Sequence, residues 1–132
     1  MPKQWQPSPS ESDQQIKFVE YLRQNNIPHY AIPNGEKRDI RTAQRLKMQG
    51  VSKGIPDICI TLAKGGYFGL YIEMKALENG RLSKEQKEWF EVLSANGYHR
   101  CVCHGYVEAI NRVEEYIRMK DTKDYLTGIL PF

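Results

Sequence analysis

Three ionisable residues, Asp57, Glu73 and Lys75, have the types and the spacing that metal-assisted hydrolysis requires. Asp57 directly follows a proline, and the other two lie at the end of Tyr67–Lys75, where apolar and polar residues alternate. Side chains of a β-strand alternate between its faces, so Glu73 and Lys75 share one face. Carboxylate oxygens bind Mg²⁺ well, and an ammonium group offsets the charge of a phosphate. The three residues therefore predict a metal-dependent site that hydrolyses phosphodiesters.

A β-hairpin would bring the two carboxylates together. Residues Ile58–Leu62 alternate between apolar and other side chains, and Gly65–Gly66 marks a turn before the second alternating run. This turn returns the chain beside the first strand, so Glu73 is expected close to Asp57. The hairpin is therefore the first element needed to build the site.

Each member of this group has a predicted role. Asp57 and Glu73 would hold the cation, with the carbonyl of Met74 as a further ligand. Lys75 would orient or activate the attacking water. The competing interpretation of Glu73 and Lys75 is a solvent-facing ion pair, which is common on strands and contributes under about 1 kcal/mol.

The remaining elements predict an α/β class with a mixed β-sheet flanked by helices. Helices are expected over residues 10–25, 39–49, 83–96 and 109–117, and strands over residues 27–33, 58–62, 67–75 and 98–103. Residues 1–9 are expected to form a flexible arm, residues 10–120 one domain, and residues 121–132 a C-terminal tail. No internal repeat is evident.

Two of the predicted helices carry candidate site residues. In the first helix, Glu11 shares one stripe with Gln15, Phe18 and Leu22, so its carboxylate is expected to face the core. In the helix that starts after Ser83, Gln86 completes a capping box and shares a face with Phe90 and Leu93. In the basic helix over residues 39–49, Ala43 and Leu46 are expected to point inward.

A cluster of cations precedes Asp57 and predicts a surface that binds DNA phosphates. The chain carries a formal net charge of only +3, so the local clustering is more informative than the total charge. A solvated helix face is the alternative interpretation. The cluster consists of Lys37, Arg38, Arg41, Arg45, Lys47 and Lys53.

The composition excludes several other classes. The chain has 132 residues, of which 40% are hydrophobic and 27% charged, as in a globular protein of one domain. Three cysteines without framework spacing, and no charged-then-apolar leader, favour a reducing compartment, and no apolar run approaches the roughly 20 residues of a membrane span. We therefore expect a cytoplasmic or nucleoid-associated protein.

Other catalytic or metal-binding motifs find little support. The chain has no nucleophile elbow and no glycine-rich nucleotide loop. His99, Cys101, Cys103 and His104 lack the Cys-x-x-Cys spacing of a zinc site, so core packing is the favoured interpretation.

Taken in order, the motifs resemble those of the VRR-NUC (virus-type replication-repair nuclease) domains of the PD-(D/E)xK superfamily. The resemblance covers most of the chain and implies a restriction-endonuclease-like fold. It is carried by Glu11-x-x-x-Gln15, Ile32-Pro-Asn-Gly-Glu-Lys-Arg38, Gly50-Val-Ser-Lys-Gly-Ile-Pro-Asp57, Glu73-Met-Lys75 and Leu82-Ser-Lys-Glu-Gln86.

The resemblance also implies residue roles and a substrate. Asp57 and Glu73 would bind Mg²⁺ or Mn²⁺, Lys75 would be the catalytic lysine, and Glu11 a helical carboxylate that reaches the metal, often through water. Gln86 and Gln15 would support them. The implied activity is an endodeoxyribonuclease acting on branched DNA, as a homodimer that cuts four-way (Holliday) junctions. A nuclease for flaps or other replication intermediates, or a non-catalytic DNA-binding subunit, are the alternatives.

Overall fold

The computed structural model describes residues 10–33, 39–78 and 80–126 and confirms the α/β class. This part of the chain forms five helices and four strands. The helices are α1 (Glu11–Gln24), α2 (Ile40–Met48), α3 (Lys84–Ala95), α4 (Tyr106–Arg118) and α5 (Thr122–Tyr125). The strands are β1 (His29–Ala31), β2 (Ile58–Ile60), β3 (Leu70–Lys75) and β4 (His99–His104). No described helix is long and apolar enough to cross a membrane.

The four strands form one mixed sheet in the order β1-β2-β3-β4. The predicted hairpin is confirmed, since β2 and β3 pair antiparallel with Ile58 opposite Ile72. One further step in this register places Asp57 opposite Glu73. The β3 and β4 strands pair in parallel, because α3 carries the chain back before β4 begins.

The hydrophobic core lies on one face of the sheet, beneath α1 and α4. Strand alternation sends Leu70, Ile72 and Met74 of β3 into this core, and it sends Glu73 and Lys75 to the other face. On that face α3 contacts β4. The sheet thus separates the apolar side chains of β3 from its ionisable ones. The buried core includes Phe18, Leu22, Ile58, Ile60, Cys101, Cys103, Val113 and Tyr116.

Capping residues define where the helices begin. Ser10 and Asp13 form a reciprocal capping box at α1. Ser83 and Gln86 form the predicted one at α3. These bonds satisfy backbone N–H groups that have no partner within the helix. The second box matters for the site, because it fixes the backbone from which Gln86 extends.

The expectation that Glu11 faces the core is wrong. Gln14, Phe18 and Leu22 are the buried residues of α1, whereas Glu11 is exposed and Gln15 is half-buried. Phe18 lies four residues after Gln14 and three residues after Gln15, so either glutamine could share its face of the helix. The stripe through Gln14 is buried because its side-chain oxygen accepts the N–H of Tyr106 at 2.9 Å, at the start of α4.

The expectation that Ala43 and Leu46 point into the core is also wrong. No residue of α2 is buried, and Ile40 and Met48 are 76% and 88% exposed. The helix is capped by Asp39, whose side chain accepts the N–H of Thr42 at 2.7 Å. Periodicity identified the helix correctly, but it does not reveal whether an element packs onto the core. The short helix α5 was not predicted.

Candidate active site at the end of strands β2 and β3

The Asp57 carboxylate is fixed by the backbone of its neighbouring strands. Its Oδ2 accepts the N–H of Met74 at 2.7 Å, and its main-chain oxygen accepts the N–H of Ile32 at 2.8 Å. The first bond ties the side chain to β3, and the second ties the residue to the end of β1. Asp57 is therefore held in place before any ligand binds. The side chain of Met74 is buried in the core, so only its backbone faces this site.

Glu73 is buried, and one of its carboxylate oxygens has no hydrogen-bond partner among the described residues. Its Oε1 accepts a hydrogen bond from Nε2 of Gln86 at 2.6 Å and lies 3.5 Å from Nζ of Lys75. Its Oε2 receives no hydrogen bond within the described part of the chain. Glu73 is only 4% exposed, so water does not readily supply the missing donor. A proton or a cation between the two carboxylates would satisfy Oε2.

Both carboxylates bind a proton more tightly than they would in water. Burial, with the charge of Asp57 as the second cause, raises the pKa of Glu73 to about 8, although Lys75 acts in the opposite direction. Burial also raises the pKa of Asp57, against the lowering effect of the Met74 N–H. At neutral pH, without a cation, Glu73 therefore retains its proton. A divalent cation bound between the two groups would replace this proton.

Lys75 and Gln86 complete a connected group. The Lys75 side chain is mostly buried, and its ammonium donates to Oε1 of Gln86 at 3.1 Å. The same Oε1 accepts the N–H of Ser83 at 2.8 Å. Gln86 thus contacts Glu73, Lys75 and the start of α3 at once. Gln86 is the capping partner that the sequence predicted, whereas its role in catalysis stays a prediction.

Glu11 lines a cavity together with Asp57. An open cavity of about 850 Å³ lies between α1 and the end of β1, and its lining includes Glu11, Gln15 and Asp57. The charge of Glu11 raises the pKa of Asp57, so the two carboxylates lie within electrostatic range. In the described residues, no three carboxylate, imidazole or thiol groups cluster tightly enough to hold an ion by side chains alone. Glu11 is therefore near the pair without completing a ligand set.

The four described cations of the basic cluster lie on or near α2. Arg41, Arg45 and Lys47 are exposed on the helix, and Lys53 is exposed in the loop that follows it. Lys53 lies 3.9 Å from Glu85 at the start of α3, which places this loop beside the helix that carries Gln86. Lys37 and Arg38 lie outside the described residues.

Cys101 and Cys103 lie in the core, as the packing interpretation predicted, with their sulfur atoms 3.7 Å apart. His99 stacks on Tyr67 with ring centroids 4.7 Å apart. His104 was set aside with them, yet its Nε2 contacts the main-chain oxygen of Gly80, beside Lys75. The sequence carries no signal for this contact, because it joins segments that only the fold brings together.

Comparisons with known proteins place the chain in a family. Residues 32–106, more than half of the chain, match the family model described as VRR-NUC domain. A solved structure described as a VRR_NUC domain protein superposes with a TM-score of 0.77 and 27% sequence identity, over 88% of this chain and 94% of that chain. A search of the curated proteins finds no match.

The region that matches the family contains Asp57, Glu73, Lys75 and Gln86, whereas Glu11 precedes it. The mixed sheet with flanking helices agrees with the solved VRR_NUC domain protein over nearly its whole length. The resemblance inferred from the motifs is thereby confirmed. This chain belongs to the VRR-NUC family, the virus-type replication-repair nucleases of the PD-(D/E)xK superfamily.

Proposed function

We propose that this nuclease is a metal-dependent endodeoxyribonuclease that cuts branched DNA. The observation that carries the proposal is the carboxylate pair of the half-buried Asp57 and the buried Glu73, with Lys75 beside it. Among the described residues, one Glu73 oxygen has no hydrogen-bond donor. Burying such a pair without a cation is unfavourable. The geometry thus favours a role in which the pair gains a divalent cation.

The donors present suit Mg²⁺ or Mn²⁺. Asp57, Glu73 and the main-chain carbonyl of Met74 would hold the ion directly, and Glu11 would bind through water. Hard oxygen donors that leave several positions to water are what Mg²⁺ prefers. A bound ion there would neutralise charge on the scissile phosphate and lower the pKa of a water molecule.

Lys75, Gln86 and Asp57 would position the reacting groups and offset charge during cleavage. Lys75 would place its ammonium beside the attacking water and the phosphate, where it offsets negative charge as the phosphorus gains a fifth oxygen. Gln86 would keep Lys75 and Glu73 in register, since it bonds to both. Asp57 enters the reaction already oriented by the Met74 N–H, so little reorganisation is required.

DNA would be bound through its phosphates by the cations around α2. Arg41, Arg45 and Lys47 are exposed on a helix that buries no residue. Lys37, Arg38 and Lys53 belong to the same proposed surface. Phosphate contacts carry no sequence information, so the shape of the substrate would determine selectivity.

A four-way junction cut by a homodimer is the substrate and assembly that we propose. Asp57, Glu73, Lys75 and Gln86 all come from one chain and contact each other there, so a two-fold dimer would present two such sites. Two equivalent sites suit the two symmetric strands of a junction.

The test compares cleavage of a labelled four-way junction, a flap, linear duplex and single strand, each with Mg²⁺ or Mn²⁺. We expect paired, symmetric cuts in the junction that are lost in Lys75→Ala and retained in Lys87→Ala, an exposed lysine of α3. Cuts confined to flaps would instead identify a nuclease for replication intermediates. Binding without metal-dependent cleavage of any substrate would leave a DNA-binding subunit and contradict the enzymatic proposal.

A further inference from the structure

Gly80, in the connection between β3 and α3, lies directly against the side chain of Lys75. An ideal Cβ built on Gly80 would lie 2.6 Å from Cβ of Lys75 and 3.1 Å from its Cγ and Cδ. Carbon atoms in favourable contact are about 3.5–4.0 Å apart. Only a residue without a side chain allows the backbone to approach the lysine stem this closely.

A histidine on the adjacent strand holds this connection in place. Nε2 of His104 lies 2.9 Å from the main-chain oxygen of Gly80. A carbonyl oxygen only accepts hydrogen bonds, so Nε2 is the protonated nitrogen in this contact. His104 is also the register partner of Lys75 in the β3–β4 pair. The connection is therefore attached to the strand position next to the lysine.

Leu77 provides a second point of attachment. An ideal Cβ on Gly105, the residue after His104, would lie 2.5 Å from Cδ2 of Leu77. The leucine therefore occupies the space that a side chain at Gly105 would need. With Leu77 against Gly105 and Gly80 bonded to His104, the connection is held at two points at the end of β4. The stem of Lys75 lies against it.

We propose that Gly80 and His104 are positioning residues that hold the Lys75 ammonium beside Glu73 and Gln86. A lysine stem has four rotatable bonds, so an unrestrained ammonium would occupy many positions. Contact with Gly80 removes most of them before substrate arrives, which lowers the entropic cost of reaching the reactive arrangement. The effect on cleavage rests on the proposed function, whereas the effect on the lysine does not.

Cleavage kinetics test the first part of the proposal. We expect Gly80→Ala to lower kcat by up to about a hundred-fold with little change in KM, because a Cβ displaces Lys75 by about 1 Å. His104→Ala should lower kcat about ten-fold, and His104→Gln should restore most of it, because its amide nitrogen donates at a similar reach. Gly69→Ala is the control substitution and should leave kcat unchanged. A Cβ at Gly69 would lie 3.3 Å from the main-chain oxygen of Ile60, away from Lys75.

Chemical reactivity of the lysine tests the second part without any nuclease activity. The folded metal-free protein is acetylated briefly, and modification of Lys75 and of the exposed Lys87 is quantified by mass spectrometry. We expect Lys75 to react about ten-fold faster, relative to Lys87, in His104→Ala than in the wild type, with His104→Gln in between. Thermal unfolding identifies which variants are folded at the assay temperature.

Unchanged kcat and unchanged Lys75 reactivity in folded Gly80→Ala and His104→Ala would overturn the proposal. If neither variant folds, the acetylation rate of Lys75 is compared between His104→Gln and the wild type. An unchanged rate would then contradict the proposal. If the wild-type protein cuts no DNA but Lys75 is more reactive in His104→Ala than in the wild type, only the proposed function is contradicted. The positioning of Lys75 by His104 would then still be supported.

Discussion

The charges of the carboxylate–lysine group, which consists of Asp57, Glu73 and Lys75, lie in a different environment from the charges of helix α2. Glu73 is 4% exposed, bonded to Gln86 and shifted in pKa to about 8. Arg41, Arg45 and Lys47 stand on a helix that buries nothing. The first group is removed from water and held by directed bonds, whereas the second group is solvated.

This difference determines how each region responds to change. In a desolvated group, each charge strongly affects its neighbours, so loss of one atom alters the whole arrangement. Solvated cations act almost independently, and salt screens them. We therefore expect substitutions in the buried group to have large, non-additive effects and substitutions on α2 to have small, salt-dependent effects.

The largest expected effect follows removal of one carboxylate charge. Asp57→Asn keeps an oxygen for the Met74 N–H but loses the negative charge that would bind the cation. We expect single-turnover cleavage to fall on the order of a thousand-fold, while junction affinity measured in Ca²⁺ changes little. Glu88→Gln, on the exposed surface of α3, is the matched control. Cleavage by Asp57→Asn at the wild-type rate would show that the pair is not the metal site.

A smaller effect concerns stability and pH in the metal-free protein. The pKa of Glu73 rises from 4.5 to about 8 on folding, so between these values the folded chain retains a proton that the unfolded chain has released. The free energy of unfolding should therefore fall as the pH rises through this window. Mn²⁺ or Mg²⁺ should offset the fall, because the ion replaces the proton.

Glu73→Gln is the variant that isolates this titration, since it keeps the shape and cannot ionise. We expect a flatter dependence on pH and, at pH 8, a gain on the order of 2 kcal/mol over the metal-free wild type. Urea unfolding at several pH values, with EDTA or with metal, measures both. A wild-type protein whose stability rises from pH 5 to 8 in EDTA would contradict the raised pKa.

The cations of α2 should each have a modest effect on binding. Arg45→Ala should weaken junction affinity less than ten-fold at moderate salt and reduce the log–log salt slope by about 0.9 on duplex segments. Six phosphate contacts would give a total slope of about −5. Fluorescence anisotropy across a salt series measures the slope, with Lys120→Ala as the control cation. An unchanged slope would favour the solvated-face interpretation.

The smallest expected effect is on thermal stability, when Lys53 in the loop after α2 is replaced. Lys53 is 3.9 Å from Glu85, with its side chain 82% exposed, so the ion pair should contribute little to folding. Lys53→Ala should leave the midpoint of thermal unfolding within about 1 °C of wild type. A larger shift would show that the α2 loop contributes to the packing of α3.

Local sequence rules were sufficient for the centre of the site. Strand alternation placed Glu73 and Lys75 on one face, and the glycine turn predicted the hairpin that puts Asp57 opposite Glu73. Ser83 and Gln86 identified the start of α3. These features depend on residues close in sequence or on one hairpin. The domain limits of 10–120, with a tail from 121, stay a prediction, although α5 forms within that tail.

Only the tertiary structure decided which residues of each helix and strand are buried and which distant residues they contact. A helix that could bury Glu11 or Gln14 buries Gln14, because α4 supplies an N–H for its amide. Helix α2 remains exposed, and Glu73 acquires its raised pKa, because burial depends on what packs nearby. His104 meets Gly80 across two strands for the same reason. The sequence by itself determined which groups line the end of β3, and packing between distant segments decided how tightly they are held and how readily they release a proton.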